Sequence, residues 1–307
     1  MKTRLGVDDS DMASTHQTLS SVLQRNLLFV HGKGGVGKTT VSQAIALALA
    51  QKGHRTLWIS IEDPTRPAGE LKEIRPELWH LNCDFQLAFE EYAAMKIKTT
   101  RLTQLFLQNR LMQYLAKAAP GIRELVLLGK TWFERTHYEH VIVDMPSTGY
   151  GLAMFQSTEN FIKLFSGGPL FRDAEAMLET LRDPKTTGHL IVSLPEEMPL
   201  QESLELNEYL LQNFPNNPAA FLVNRLFPHL PSLHTPGFNP ENRKSPLAES
   251  KLDYAQTRSW LEHHNLRLWN EAGVKYGHLS FVPPPLENAL SVISERLSHE
   301  LSQRSYL

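Results

Sequence analysis

Two lysines, a threonine and four glycines are concentrated in one octapeptide, Gly32-Lys33-Gly34-Gly35-Val36-Gly37-Lys38-Thr39. Their order is that of a Walker A phosphate loop. Glycines lack a Cβ, so successive backbone N–H groups can turn inward around phosphate oxygens. Gly34, Gly35, Val36 and Gly37 form the expected cradle, and Lys38 the expected point charge. Thr39 offers a hydroxyl for Mg²⁺, and Thr40 follows in the first turn of a helix whose unpaired N–H groups and dipole favour anions. The ligand implied is a nucleoside triphosphate.

Such a loop works only between a strand and a helix. Asn26 to His31 is an apolar run suited to a strand buried on both faces of a parallel sheet. Thr39 to Ala50 places Val41, Ala44, Ile45, Leu47 and Ala48 at helical spacing, and Lys52-Gly53-His54 closes it. A second strand is expected at Arg55 to Ser60. One carboxylate then falls where phosphate chemistry could use it: Asp144 ends the buried run His140-Val141-Ile142-Val143, the place for a carboxylate holding a Mg²⁺-bound water. Another, in the pair Asp63-Pro64, follows the second strand. An Asp-Pro pair is an ordinary turn starter.

Lys33 is not required by a Walker A loop. With it, the run Lys33 to Thr40 resembles the signature-lysine loop of the family that contains the ArsA-type arsenical-pump ATPase, the tail-anchored-protein targeting ATPase, the Min and Par positioning ATPases and nitrogenase iron protein. The resemblance implies ATP and Mg²⁺ as cofactors and Lys33 as a catalytic group reaching a partner's nucleotide. It also implies a homodimer, or a heterodimer with a paralogue. Asp63 resembles the first-switch carboxylate that orients water, although Thr65, Arg66 and Pro67 depart from the pattern. Asp144 to Tyr150 resembles the second switch, with Pro146 one position early and Tyr150 in place of His. Val223-Asn224-Arg225 resembles the segment whose Asn reads adenine, and Pro283-Pro284-Pro285 the loop that closes over the base, with Pro284 a contact.

Composition sets limits. A chain of 307 residues, 41% hydrophobic, can bury a large core. Lys plus Arg is 31 against Asp plus Glu 33, so no basic field invites nucleic acid. The first 25 residues carry Asp8, Asp9 and Asp11 without an apolar h-region, so we expect an N-terminal tail and no secretory signal. No apolar run reaches transmembrane length. The single cysteine, Cys83, excludes thiolate capture of arsenite, a Cys-x-x-Cys zinc clamp and an iron–sulfur cluster, and fits a reducing, cytoplasmic location.

The expected fold is a doubly wound, mostly parallel α/β sheet, residues 26–307, with helical insertions at about 85–135 and 152–185. Helices are predicted at Phe85–Ile97, Thr99–Ala118, Pro120–Phe133, Leu152–Phe171 and Arg172–Leu181. Their apolar residues, including Leu105, Phe106, Met112, Met154, Phe155 and Met177, either make a groove for an apolar protein client or pack on the sheet. The segment Leu286–Leu301 is amphipathic but acidic on its polar face, which favours packing on the sheet over a membrane surface. The implied activity is a dimeric, ATP-hydrolysing switch; a membrane- or nucleoid-positioning ATPase and a regulatory ATPase paired with a paralogue remain alternatives.

Overall fold

The computed structural model describes residues 19–96, 121–164, 167, 169–217, 219–228, 246–271, 273–282 and 289–302. The expected helix at Thr99–Ala118 and the Pro283–Pro285 loop, with its contact Pro284, lie outside these.

β1 (Leu27–His31) has every residue buried, as a central strand covered on both faces must be. It pairs in parallel with β5 (His140–Asp144) on one side and β6 (Thr187–Ser193) on the other. Beyond β5 come β2 (Thr56–Ile61), β4 (Leu78–Cys83) and β3 (Leu71–Arg75). Beyond β6 come β7 (Ala220–Leu226) and β8 (Tyr276–Ser280). Among the described residues one eight-stranded sheet results, in the order β3-β4-β2-β5-β1-β6-β7-β8, parallel except for β3 against β4. The doubly wound α/β expectation therefore holds, with β3, β4 and β8 as strands the sequence reading did not contain.

Successive side chains of a strand face opposite sides, which divides the core in two. Leu28, Val30, Trp58, Ile142 and Val192 meet α1 (Leu19–Leu23), α2 (Lys38–Gln51) and α9 (Ala289–Ser302). α2 is buried along almost its whole length, and Val41, Ala44, Ile45, Leu47 and Ala48 are all inside. α9 packs against α2 and α1, buries Ile293, Leu297 and Leu301 in this layer, and reaches the sheet edge where Arg296 Nη1 donates to Ser280 O of β8 at 3.1 Å. Val22 and Leu23 of α1 are fully buried, so the folded body begins inside the stretch expected as a tail.

Leu27, Phe29, Leu57, Ile59, Val141 and Val143 face the other helices. These are α3 (Phe85–Lys96), α4 (Ile122–Glu134), α5 (Thr148–Leu164), α6 (Pro169–Arg182), α7 (Glu197–Asn213) and α8 (Pro246–Glu271). Met154, Phe155 and Met177 are buried in this layer. Met154 and Phe155 pack within the nucleotide domain, and Met177 also borders a cleft between α3, α4 and α6. The break between the two helices after β5 lies between Leu164 and Pro169, ahead of the predicted Phe171–Arg172 boundary.

Candidate nucleotide-binding site

β1 ends at His31 and α2 begins at Lys38, so the loop between them sits at the C-terminal edge of a parallel sheet, where such sheets leave ligand crevices. Three glycines there are dictated by geometry, Gly35 by its φ of 86° alone. Gly37, the residue before α2, has φ 95°, and a Cβ on it would strike Nδ2 of Asn224. Gly32 has φ 144°, and its Cβ would strike the carbonyl oxygen of Val192 in β6. Gly34 and Gly35 face open space, while the Val36 side chain is buried beneath the loop.

Lys38 Nζ donates to the Lys33 carbonyl oxygen at 2.9 Å, curling over its own loop. Burial lowers its pKa, and the nearby Asp144 carboxylate opposes that shift. Thr39 Oγ1 donates to Asp144 Oδ2 at 2.6 Å, which brings two of the predicted groups together at the foot of the loop. Thr40 lies in the first turn of α2. Asp144 Oδ1 is buried with no hydrogen-bond partner. Burial raises the Asp144 carboxyl to about 6, Thr39 and Lys38 pull it down, and Asp63 adds repulsion.

A hydroxyl and a carboxylate with one unpartnered buried oxygen fit Mg²⁺. That ion prefers hard oxygen ligands and keeps most of its sphere for water and phosphate. Among the described residues no cluster of three or more His, Cys, Asp or Glu could hold a metal, so the oxygen pair Thr39 and Asp144 is the better donor set for an ion bound together with phosphate.

Asp63 is held in a tight turn. Its Oδ1 accepts from Thr65 N at 2.9 Å and Thr65 Oγ1 at 2.7 Å, and Oδ2 accepts from Arg66 Nε at 3.0 Å. The Thr65 hydroxyl chiefly, with Arg66 assisting, keeps its carboxyl below the usual range. The Arg66 guanidinium lies 4.6 Å from the Trp58 ring centroid. Two of the three residues that depart from the resembled pattern, Thr65 and Arg66, are thus the ones that grip the carboxylate.

Lys33 stands apart from the loop's interior, paired through Nζ with Glu202 Oε1 of α7. Asn224 Nδ2 donates to the Val36 carbonyl oxygen at 2.8 Å, and its Oδ1 accepts from Arg225 N at 2.9 Å. One amide hydrogen and one lone pair are left for any other partner. Asn224 therefore buttresses the loop from below. Sequence reasoning missed Glu202, and it missed Asn82, whose amide holds the Asp63 turn. Neither belongs to a motif.

A glycine loop between a central strand and a buried helix, with a strand-end Asp bonded to the loop's Thr, defines the P-loop nucleotide-binding class. Residues 25–167, just under half of the chain, match the family model described as Anion-transporting ATPase. It is 31% identical to ATPase BagA of Mycobacterium tuberculosis, covering 66% of this chain and 65% of that protein. It is 34% identical to ATPase GET3 of Chaetomium globosum over 50% of this chain and 49% of that one. A putative arsenical pump-driving ATPase of Halobacterium salinarum is 25% identical over 71% of this chain and 38% of its own length. The chain thus spans about 65% or less of the length of these relatives.

Proposed function

We propose that the protein is a Mg²⁺-dependent ATPase that works as a dimeric switch. The observation that carries the reading is the Thr39–Asp144 hydrogen bond at 2.6 Å, with the second Asp144 oxygen buried and unpartnered beside a phosphate loop. The backbone of Gly34 to Gly37 and Lys38 hold the phosphates, Thr39 and Asp144 hold the metal, and Asp63 orients water. Bound Mg²⁺ would neutralise charge on the phosphates. The protein's share is positioning and electrostatic stabilisation. Asp63 is kept ionised by Thr65 and Arg66, so it suits the orientation of water better than storage of a proton.

Hydrolysis is coupled, on this reading, to capture and release of a protein client. What supports it is an apolar cleft of about 310 Å³ between α3, α4 and α6, lined by residues such as Tyr92, Met95, Leu125 and Trp132. The burial of Ile293, Leu297 and Leu301 in α9 disfavours the membrane-positioning alternative, since those side chains are already packed. Among the described residues no helix is long and apolar enough to cross a membrane. The test is ATP hydrolysis by purified protein with and without Mg²⁺, beside Lys38→Ala and Asp63→Asn. Lys38→Ala should lose nucleotide binding or turnover, and Asp63→Asn should bind ATP without hydrolysing it. Undiminished hydrolysis by both sinks the assignment.

A further inference from the structure

Asn82 is the third point from which the Asp63 turn is controlled, and it belongs to neither switch. It lies on β4, 2% exposed, directly behind the turn. An amide side chain has two donor hydrogens and two acceptor lone pairs, and Asn82 uses all four. Nδ2 donates to Asp63 O at 2.8 Å and to Arg66 O at 3.1 Å. Oδ1 accepts from Asp63 N at 2.9 Å and from Ser60 Oγ at 3.2 Å. The partners fix the orientation of the amide, because two backbone carbonyls can face only its NH₂ and a backbone N–H only its oxygen. Both main-chain polar groups of Asp63 are therefore held by one side chain.

The turn needs such a hold. The chain leaves β2 through Glu62 at φ 48°, a left-handed conformation that a residue with a Cβ adopts only when its surroundings impose it. β4 supplies those surroundings: Glu62 N donates to Cys83 O, and Gly69 N donates to Asn82 O, each at 2.9 Å. The Ser60 hydroxyl has one hydrogen, given to Asn82, so its 3.0 Å contact with His80 is donated by His80 Nε2. Behind the same turn, the Trp58 ring carries Arg66 on one side, and its Nε1 donates to Ser42 Oγ of the phosphate-loop helix at 3.0 Å. The Asp63 turn and the helix that follows the phosphate loop are thus built on one continuous polar support.

We propose that Asn82 is a positioning residue for ATP hydrolysis, setting where the Asp63 carboxylate stands relative to the Thr39–Asp144 pair. The proposal rests on the reading of Asp63 as the group that orients water. A purely architectural role is the competing explanation. The geometry argues against it: the β2–β4 ladder runs through backbone pairs such as Ser60 with Asn82, whereas three of the four side-chain bonds go to the turn. Loss of the amide would release the turn and leave the ladder paired.

The experiment measures kcat, KM, ATP affinity and melting temperature for Asn82→Asp and Asn82→Ala on the full chain, with Asp63→Asn in parallel. Asn82→Asp keeps the volume and the accepting oxygen and replaces the NH₂ that donates to Asp63 O and Arg66 O by an oxygen that repels both carbonyls, so it disturbs the same turn without opening a cavity and gives a second readout if the alanine variant folds poorly. Asn217→Ala is the control, because it removes a buried amide bond to Thr187 O far from the turn. Both Asn82 variants should lose roughly 10- to 100-fold in kcat, the effect of a small misplacement near the chemistry, with ATP affinity within about threefold of wild type. Asn217→Ala should lose stability and keep its kcat. An inactive Asp63→Asn beside Asn82 variants of wild-type kcat overturns the role of Asn82 alone. Wild-type turnover by Asp63→Asn overturns the reading of Asp63 and the proposal with it.

Discussion

Lys33 is paired with Glu202 of its own chain, across the cleft between the phosphate loop and the first turns of α7. A lysine that serves a partner's nucleotide has to leave that carboxylate first. Both side chains are about one-third exposed, so the pair is worth no more than about 1 kcal/mol. Glu202→Gln should therefore tighten ATP-dependent dimerisation by at most about fivefold. Lys33→Ala should weaken dimerisation and turnover while leaving ATP affinity nearly unchanged. Sedimentation with Mg²⁺ and a non-hydrolysable ATP analogue reads both, and a dimer insensitive to either change removes Lys33 from the interface.

Metal dependence should trace to Thr39 and Asp144 together. Thr39→Ala removes one of the two oxygens that meet at 2.6 Å, Asp144→Asn removes the negative charge of the other's carboxylate, and each should raise the Mg²⁺ concentration needed for half-maximal hydrolysis by roughly tenfold or more. Chelation of Mg²⁺ should abolish turnover in the wild type. A titration curve unchanged in Asp144→Asn would move the metal elsewhere.

Acid should destabilise the fold from about pH 6.5 downward. His31 and His189 touch at 3.0 Å in the core, and burial holds His189 to about 3 and His31 well below its ordinary value, with His80 at about 4. Each is neutral in the folded chain and protonated when unfolded, so each favours folding above pH 6.5 and loses that contribution as pH falls through its folded pKa. Asp144, raised to about 6, takes up a proton in the folded state and works the other way. Near pH 5 the buried histidines, His140 included, outweigh the one raised carboxyl, so the unfolded chain binds more protons than the folded one and stability falls as the pH drops. Denaturant midpoints at pH 7.5 and 5.5 without Mg²⁺ test the sign, and His189→Phe should flatten the slope by about one proton.

Phe155 should be a keystone of the sheet–helix packing. Its ring lies 5.2 Å from Phe29, 5.8 Å from His189 and 5.5 Å from Phe214, and it is 1% exposed. Phe155→Ala should cost about 3 to 5 kcal/mol in stability by opening a cavity under β1. A loss below about 1 kcal/mol in equilibrium unfolding would mean that the site collapses around the smaller side chain.

What the sequence made legible follows from which residues face water. β1 and β5 are buried on both faces and read as uninterrupted apolar runs, and α2 follows a loop whose glycines have no other use. β4 escaped because His80 and Asn82 interrupt its apolar pattern, and they are polar because they meet Trp58 and the Asp63 turn. β3 escaped because all five of its residues are exposed, which removes any burial signal. Lys33 was visible as an extra charge, but its partner was not, since Glu202 lies 169 residues away on a helix rich in acids. Long-range pairing of a lone ion leaves no local pattern.

The outer strand β3 also decides how the sheet ends. An edge strand offers a row of unpaired backbone groups to any other extended chain. Here it is five residues long, carries Lys72, Glu73 and Arg75, and is irregular in register between Glu73 and Arg75. A neighbouring strand would have to match a broken ladder and place its own side chains among alternating charges. The sheet is thereby stopped from growing laterally, which protects a chain with exposed Leu71 and Ile74 from fibrous self-association.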